Sequence, residues 1–125
     1  MTVAGLIPHI AVHVAVPVLL ALALYRPQWR GVALILIATM IVDIDHLLAD
    51  PIYDPERCSI GFHPLHTGPA ITLYLVLAVL PLVLRPKMGN RSGTAWELRS
   101  AARLAHLIGL GLLIHMALDW GDCLL

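Results

Sequence analysis

From Leu6 to Tyr25 the chain runs twenty residues without Asp, Glu, Lys or Arg. Comparable apolar stretches recur from about Gly31 to Leu48, from Pro69 to Leu84 and from Leu104 to Trp120. A bilayer core of about 30 Å takes about 20 helical residues, and a backbone in lipid satisfies its polar groups only in a helix or a closed barrel. Four such stretches predict an all-α, polytopic membrane protein with four transmembrane helices in a single domain over residues 1–125. The shorter stretches must be completed at their ends by less apolar neighbours. Composition agrees: 59% apolar, 13% charged and a mean hydropathy of +0.84, against roughly 45–50% and 25% in soluble domains. With zero net charge and no basic tail, nucleic acid has no electrostatic hold.

The first stretch is not a signal peptide, because no Lys or Arg precedes it and His9 and His13 interrupt it. Pro8 suits a first helical turn, and Pro17 is expected to kink the helix. Loops one and three carry seven Lys or Arg (Arg26, Arg30, Arg85, Lys87, Arg91, Arg99, Arg103), whereas loop two carries Arg57 alone. Positive-inside counting places loops one and three in the cytoplasm, so both termini and loop two, about Ala49 to Gly68, lie outside. A loop that long suggests a lid or binding segment. Asp50-Pro51 and Asp54-Pro55 read as turn starts. Thr94 and Glu97 form a capping-box pattern for the fourth helix, with Trp96 as an interfacial anchor.

This topology carries ten titratable residues to one membrane face: His9 and His13, Asp43, Asp45 and His46, His63 and His66, and His115, Asp119 and Asp122. His9/His13 and His115/Asp119 are spaced i,i+4 and Asp43/His46 i,i+3, so each pair shares a helix face. Asp45 points away from His46 and serves either as ligand or as support for one. His63 and His66 lie across a turn or on the first turn of the third helix. A lone membrane histidine is commonly a helix–helix hydrogen-bond partner, and His106, on the opposite face of the fourth helix from His115, is assigned that packing role. Asp122 sits where a helix C-terminus disfavours a carboxylate, which tilts it towards a cation. Intramembrane ionisable groups are costly and mark function. Imidazoles mixed with carboxylates suit zinc, with manganese or iron as alternatives, in one, two or more divalent ions. Asp43 or Asp119 could bridge a pair. Arg57 either grips a substrate phosphate or forms a loop salt bridge with Glu56 or Asp54. Cys58 and Cys123 both fall on the outer face, where an oxidising compartment favours a disulfide, although zinc also takes thiolates.

"DIDH" ending an apolar helix and "HPLHT" opening the next resemble the membrane-bound metal-dependent hydrolase (YdjM-like) superfamily, with its "DxDH" and "HRxxTHS"-like motifs. The resemblance extends to a small bacterial family of unknown function carrying "LLADPIYDPERCSIGFHPLH", here Leu47 to His66, and "HMxxDxxDC", here His115 to Cys123. No Arg follows His63 and no Ser follows Thr67. The resemblance implies Asp43, Asp45, His46, His63, His66, His115 and Asp119 as metal residues, and the inner membrane of a bacterium with the site facing the periplasm or exterior.

The function expected is hydrolysis of a phospholipid or other amphiphilic phosphate ester, with Asp45 as general base or orienting group and Arg57 as anion anchor. His9, His13 and Asp122 complete the metal shell. The competing reading is metal binding or transport without hydrolysis. Transporters place ligands near the midplane, whereas these sit at one end. A haem carrier would need few carboxylates. Membrane lipid and a lipid or small-molecule substrate are the expected partners, and the lipid-facing surface leaves room for a homo-oligomer.

Overall fold

The computed structural model describes residues 3–52, 54, 57–84 and 93–124, with side chains given from residue 7 and, in the last segment, from residue 98. The described residues contain helices and irregular segments and no strand. Helix α1 spans Val3–Leu24, α2 Trp29–Ala38, α3 Gly68–Val83 and α4 Gly93–Leu124. Short 3₁₀ turns lie at Arg26–Gln28 and Pro64–His66, and a ten-residue 3₁₀ segment, Thr39–Leu48, continues α2. Three stretches, Ile7–Leu24, Arg26–Leu48 and Leu98–Leu124, are long and apolar enough to cross a membrane, and Gly68–Val83 is apolar but shorter.

The 3₁₀ continuation explains how the second stretch gains its length. Ten α-helical residues followed by ten 3₁₀ residues rise about 35 Å, at roughly 1.5 and 2.0 Å per residue. At the changeover Thr39 Oγ1 donates to the Leu36 carbonyl at 2.6 Å, the kind of side-chain bond that competes with regular helical pairing. Helix α4, at 32 residues, runs about 48 Å, beyond any bilayer core. Its start at Gly93 precedes the expected one. The side chains of Thr94, Trp96 and Glu97 lie outside the described residues, as do Arg85, Lys87, Arg91 and Glu56. Pro8 is interior to α1 rather than in its first turn, because the helix begins at Val3 and Pro8 stands one turn further in.

Two apolar clusters pack the bundle. Ala21, Val32, Ala33, Leu36 and Leu107 join α1, α2 and α4. Val42, Tyr74 and Met116 join the 3₁₀ segment, α3 and α4 nearer the other end. Two glycines bring α4 close to its neighbours. A Cβ on Gly109 would lie 2.4 Å from the Ala78 amide nitrogen, and one on Gly111 2.7 Å from Thr39 Oγ1. His106 has the structural role expected of it: its Nδ1 lies 2.6 Å from the Ala78 carbonyl, leaving Nε2 to accept from the Tyr25 hydroxyl at 3.2 Å.

Candidate metal centre

In a 3₁₀ helix every third residue shares a face, which splits the "DIDH" segment three ways. Ile41, Ile44 and Leu47 form an exposed apolar row. Val42 and Asp45 are buried. Met40, Asp43 and His46 form a third, half-buried row. Ile44 therefore faces outward, Asp45 turns inward, and Asp43 and His46 share a third, half-buried row.

Loop two folds back on this segment. Asp45 Oδ2 accepts the Leu65 amide at 2.7 Å and lies 3.2 Å from His66 Nδ1. The Tyr74 hydroxyl donates to the Leu65 carbonyl at 2.9 Å, and the Gly61 amide to the His66 carbonyl at 2.9 Å. Gly61 holds φ +85°, a conformation that favours glycine. The "HPLH" pair thus spans a 3₁₀ turn ahead of α3, with His66 fully buried.

Helix α4 closes the site with His115 and Asp119, one turn apart and both buried. One ligand atom from each of Asp43, His66, His115 and Asp119 lies within 4.8 Å of those of the others. Four of the separations are 2.9 Å (His115 Nε2 to Asp43 Oδ1), 3.1 Å (His66 Nε2 to Asp119 Oδ2), and 3.4 Å each for His66 Nε2 to Asp43 Oδ1 and His115 Nε2 to Asp119 Oδ2. Ligands held tetrahedrally at about 2.0–2.1 Å from zinc stand about 3.3 Å apart, so the group has the spacing of a coordination shell.

Proton accounting makes the same point. His66 faces carboxylate oxygens with both ring nitrogens, Asp45 at Nδ1 and Asp43 and Asp119 at Nε2. A neutral imidazole donates from one nitrogen only. Either the ring carries a second proton, or its Nε2 lone pair meets a cation. His66 Nε2 and Asp119 Oδ2 are moreover buried without a hydrogen-bond partner among the described residues, despite lying 3.1 Å apart. They aim past each other. Burial alone would pull the His66 pKa down, but its contacts with Asp119, Asp43 and Asp45 outweigh that and push it up to about 10.

A second group combines Asp45, His46 and His63. Asp45 Oδ1 and His46 Nδ1 lie 3.2 Å apart, and again neither has a hydrogen-bond partner among the described residues. His63 stacks on His46 with ring centres 3.8 Å apart, and burial followed by the neighbouring His46 lowers its pKa. A third group is His9, His13 and Asp119. His13 Nδ1 lies 3.0 Å from the His9 carbonyl, which requires a proton there, so Nε2 turns its other valence to Asp119 Oδ1 at 3.1 Å. Asp119 therefore serves two groups, one with each oxygen.

The remaining candidates sit at the edge. Asp122 is exposed and pairs with His9 Nδ1 at 2.5 Å, outside the three groups. Arg57 donates to the Pro51 carbonyl at 3.0 Å, lies 3.4 Å from Asp54 and covers the Phe62 ring at 4.4 Å, which makes it a brace of its loop. Cys58 and Cys123 form a disulfide with Cα atoms 5.1 Å apart, so neither offers a thiolate. Sequence reasoning passed over Ser59, whose Oγ lies 3.2 Å from His46 Nε2. Only its place beside Cys58 hinted at it.

The model of DUF6122, a family of unknown function, matches residues 3–85, about two thirds of the chain. The chain belongs to this family. No curated protein and no solved structure matches it. The matched segment carries His9, His13, Asp43, Asp45, His46, His63 and His66, and ends before α4 supplies His115 and Asp119.

Proposed function

We propose that this DUF6122 protein is a membrane-embedded, metal-dependent hydrolase acting on a phospholipid or another amphiphilic phosphate ester. Its four helices cross the membrane with both termini outside, in the inner membrane of a bacterium. The central group Asp43, His66, His115 and Asp119 holds one divalent ion, zinc first, with manganese or iron able to substitute. Asp45, His46 and His63 hold a second, and His9 and His13 with the far oxygen of Asp119 form a third, outer position. The observation that carries the reading is His66, buried with carboxylates at both ring nitrogens, an arrangement balanced by a cation. The YdjM-like resemblance points the same way.

Ions at adjacent positions would lower the pKa of water towards ~7 and screen a phosphoryl oxygen. The protein's share is placement. His66, His115 and Asp119 are buried, whereas the Asp43 side chain is 34% exposed and that of His46 24%. The centre therefore opens on the Asp43–His46 side, where a substrate phosphate would enter. Exposed Ile44, Leu47, Leu48 and Phe62 belong to the segments that form this opening, which suits a substrate with an apolar tail. Asp45, 3% exposed, engages Leu65 and His66 through Oδ2 and would offer Oδ1 to the second ion, so it is a ligand and a brace for His66 rather than a base reaching substrate. A transport path finds no support: between His106 and His115 helix α4 carries only apolar residues and glycine.

Elemental analysis of the purified protein followed by a screen of lipid and soluble phosphate esters tests the proposal. At least two equivalents of metal and hydrolysis abolished by chelation are expected. Metal-replete protein that hydrolyses no ester would overturn the enzyme reading in favour of metal binding. A cysteine placed at Gly89 should be labelled only from the cytoplasmic side; labelling from outside would invert the site and remove the outer-leaflet substrate.

A further inference from the structure

Ser59 belongs to none of the three groups, yet it connects to two of the three residues of the second one. Its Oγ lies 3.2 Å from His46 Nε2. Its carbonyl accepts the His63 amide at 3.3 Å and the Phe62 amide at 3.2 Å. Accepting the His46 Nε2 proton would leave the Nδ1 lone pair facing Asp45 Oδ1, where both atoms are buried and without hydrogen-bond partners among the described residues. A ligand histidine is commonly fixed in this way by a partner on its other nitrogen. The serine itself sits in an irregular loop, but the residue before it, Cys58, is bonded to Cys123 at the end of α4.

We infer that Ser59, clamped by the adjoining Cys58–Cys123 bridge, is the positioning residue of the second cation site, setting the His46 tautomer with its hydroxyl and the His63 backbone with its carbonyl. The inference rests on the metal-centre reading above. It separates two roles that the bridge could have: holding the bundle together, and holding one serine against one histidine.

The test measures zinc affinity and stoichiometry by equilibrium dialysis and elemental analysis, on the full chain in detergent with its disulfide intact. Ser59→Ala should weaken one zinc by about 10–100-fold, the usual effect of losing a group that orients a ligand, and leave the central zinc unchanged. Ser59→Thr, which keeps the hydroxyl, should restore the affinity. The double change Cys58→Ala with Cys123→Ala should reproduce the Ser59→Ala loss. Should that variant not fold, the Ser59 pair alone decides. Wild-type protein that binds zinc with Ser59→Ala indistinguishable from it would overturn the positioning role and leave the metal centre standing. Loss of all zinc together, or no rescue by Thr, would equally refute it. Wild-type protein that binds no zinc would overturn both readings.

Discussion

Asp45→Asn is the substitution that divides the two roles a buried carboxylate can have here. In the wild type Asp45 Oδ2 accepts from the Leu65 amide at 2.7 Å and lies 3.2 Å from His66 Nδ1. With a cation bound, that contact would keep the proton on Nδ1 and leave the Nε2 lone pair for the ion between Asp43 and Asp119. An asparagine oxygen in the place of Oδ2 keeps both bonds. Its NH₂ then takes the place of Oδ1, 3.2 Å from His46 Nδ1. There it donates to the lone pair that the second group offers a cation, and an acceptor oxygen is lost with it. Losing a group beside a metal-bound histidine costs about 10–100-fold in affinity, or about 1.4–2.8 kcal/mol, and the loss of a ligand oxygen should cost at least that. The measurement is titration of zinc into metal-stripped wild type and variant against a competing chelator, with helicity compared by circular dichroism. One zinc weakened, the central zinc retained and helicity unchanged are expected. Unchanged zinc affinity with lost turnover would make Asp45 a general base and refute its place at the second ion.

Asp119→Ala should strip the central ion and also weaken binding at His9 and His13, since its two oxygens face the two groups; full zinc retention by elemental analysis would contradict a shared ligand. Gly109→Ala should destabilise by about 1–3 kcal/mol despite the roughly 1 kcal/mol better helix propensity of alanine, because its Cβ would meet backbone of α3 at 2.4 Å; melting in detergent checks it. Zinc affinity should rise with pH between 6 and 8, by about tenfold per unit for each proton displaced, because metal-free His66 holds its proton up to about 10. The same raised pKa means that His66 stabilises the metal-free protein fully below its unfolded value of 6.5 and loses that contribution as pH climbs through about 10. Melting temperatures of the stripped protein should therefore fall across that window.

The helices were legible because lipid leaves few choices: a run such as Leu6–Tyr25 is helical or it is not in the membrane. Gathering the polar residues at one end needed only chain order and charge counting. The distribution of ligands was not legible. An α-helical reading sets Asp45 about 100° from His46 without saying whether it ligates. The 3₁₀ geometry of Thr39–Leu48 is set among tertiary contacts, the close approach of Gly111 to Thr39 and the fold-back of loop two onto Asp45, that a local reading does not contain. Ser59 carries no sequence signal of its own, since a hydroxyl in a loop has many uses. Arg57 looked suited to phosphate by its chemistry, but its surroundings are Asp54, Pro51 and Phe62, which only folding could reveal.

The arrangement of the groups also bears on why the bundle holds together. Apolar helices in lipid gain little hydrophobic energy from meeting one another, so packing and polar contacts have to fix their association. Here α1 contributes His13, the 3₁₀ segment Asp43, loop two His66, and α4 His115 and Asp119. Each pairwise contact is between an imidazole and a carboxylate that lipid would otherwise disfavour. Because the ligands come from such distant parts of the chain, a cation bound among them stabilises the assembled bundle by its full binding energy and the separated helices by little. The centre proposed for chemistry would then also be the clamp that sets helix order at the outer face. Dependence on metal should be strongest for α1, whose buried His13 reaches the centre at Asp119 Oδ1, 3.1 Å away, and at the His115 ring, 4.7 Å between ring centres.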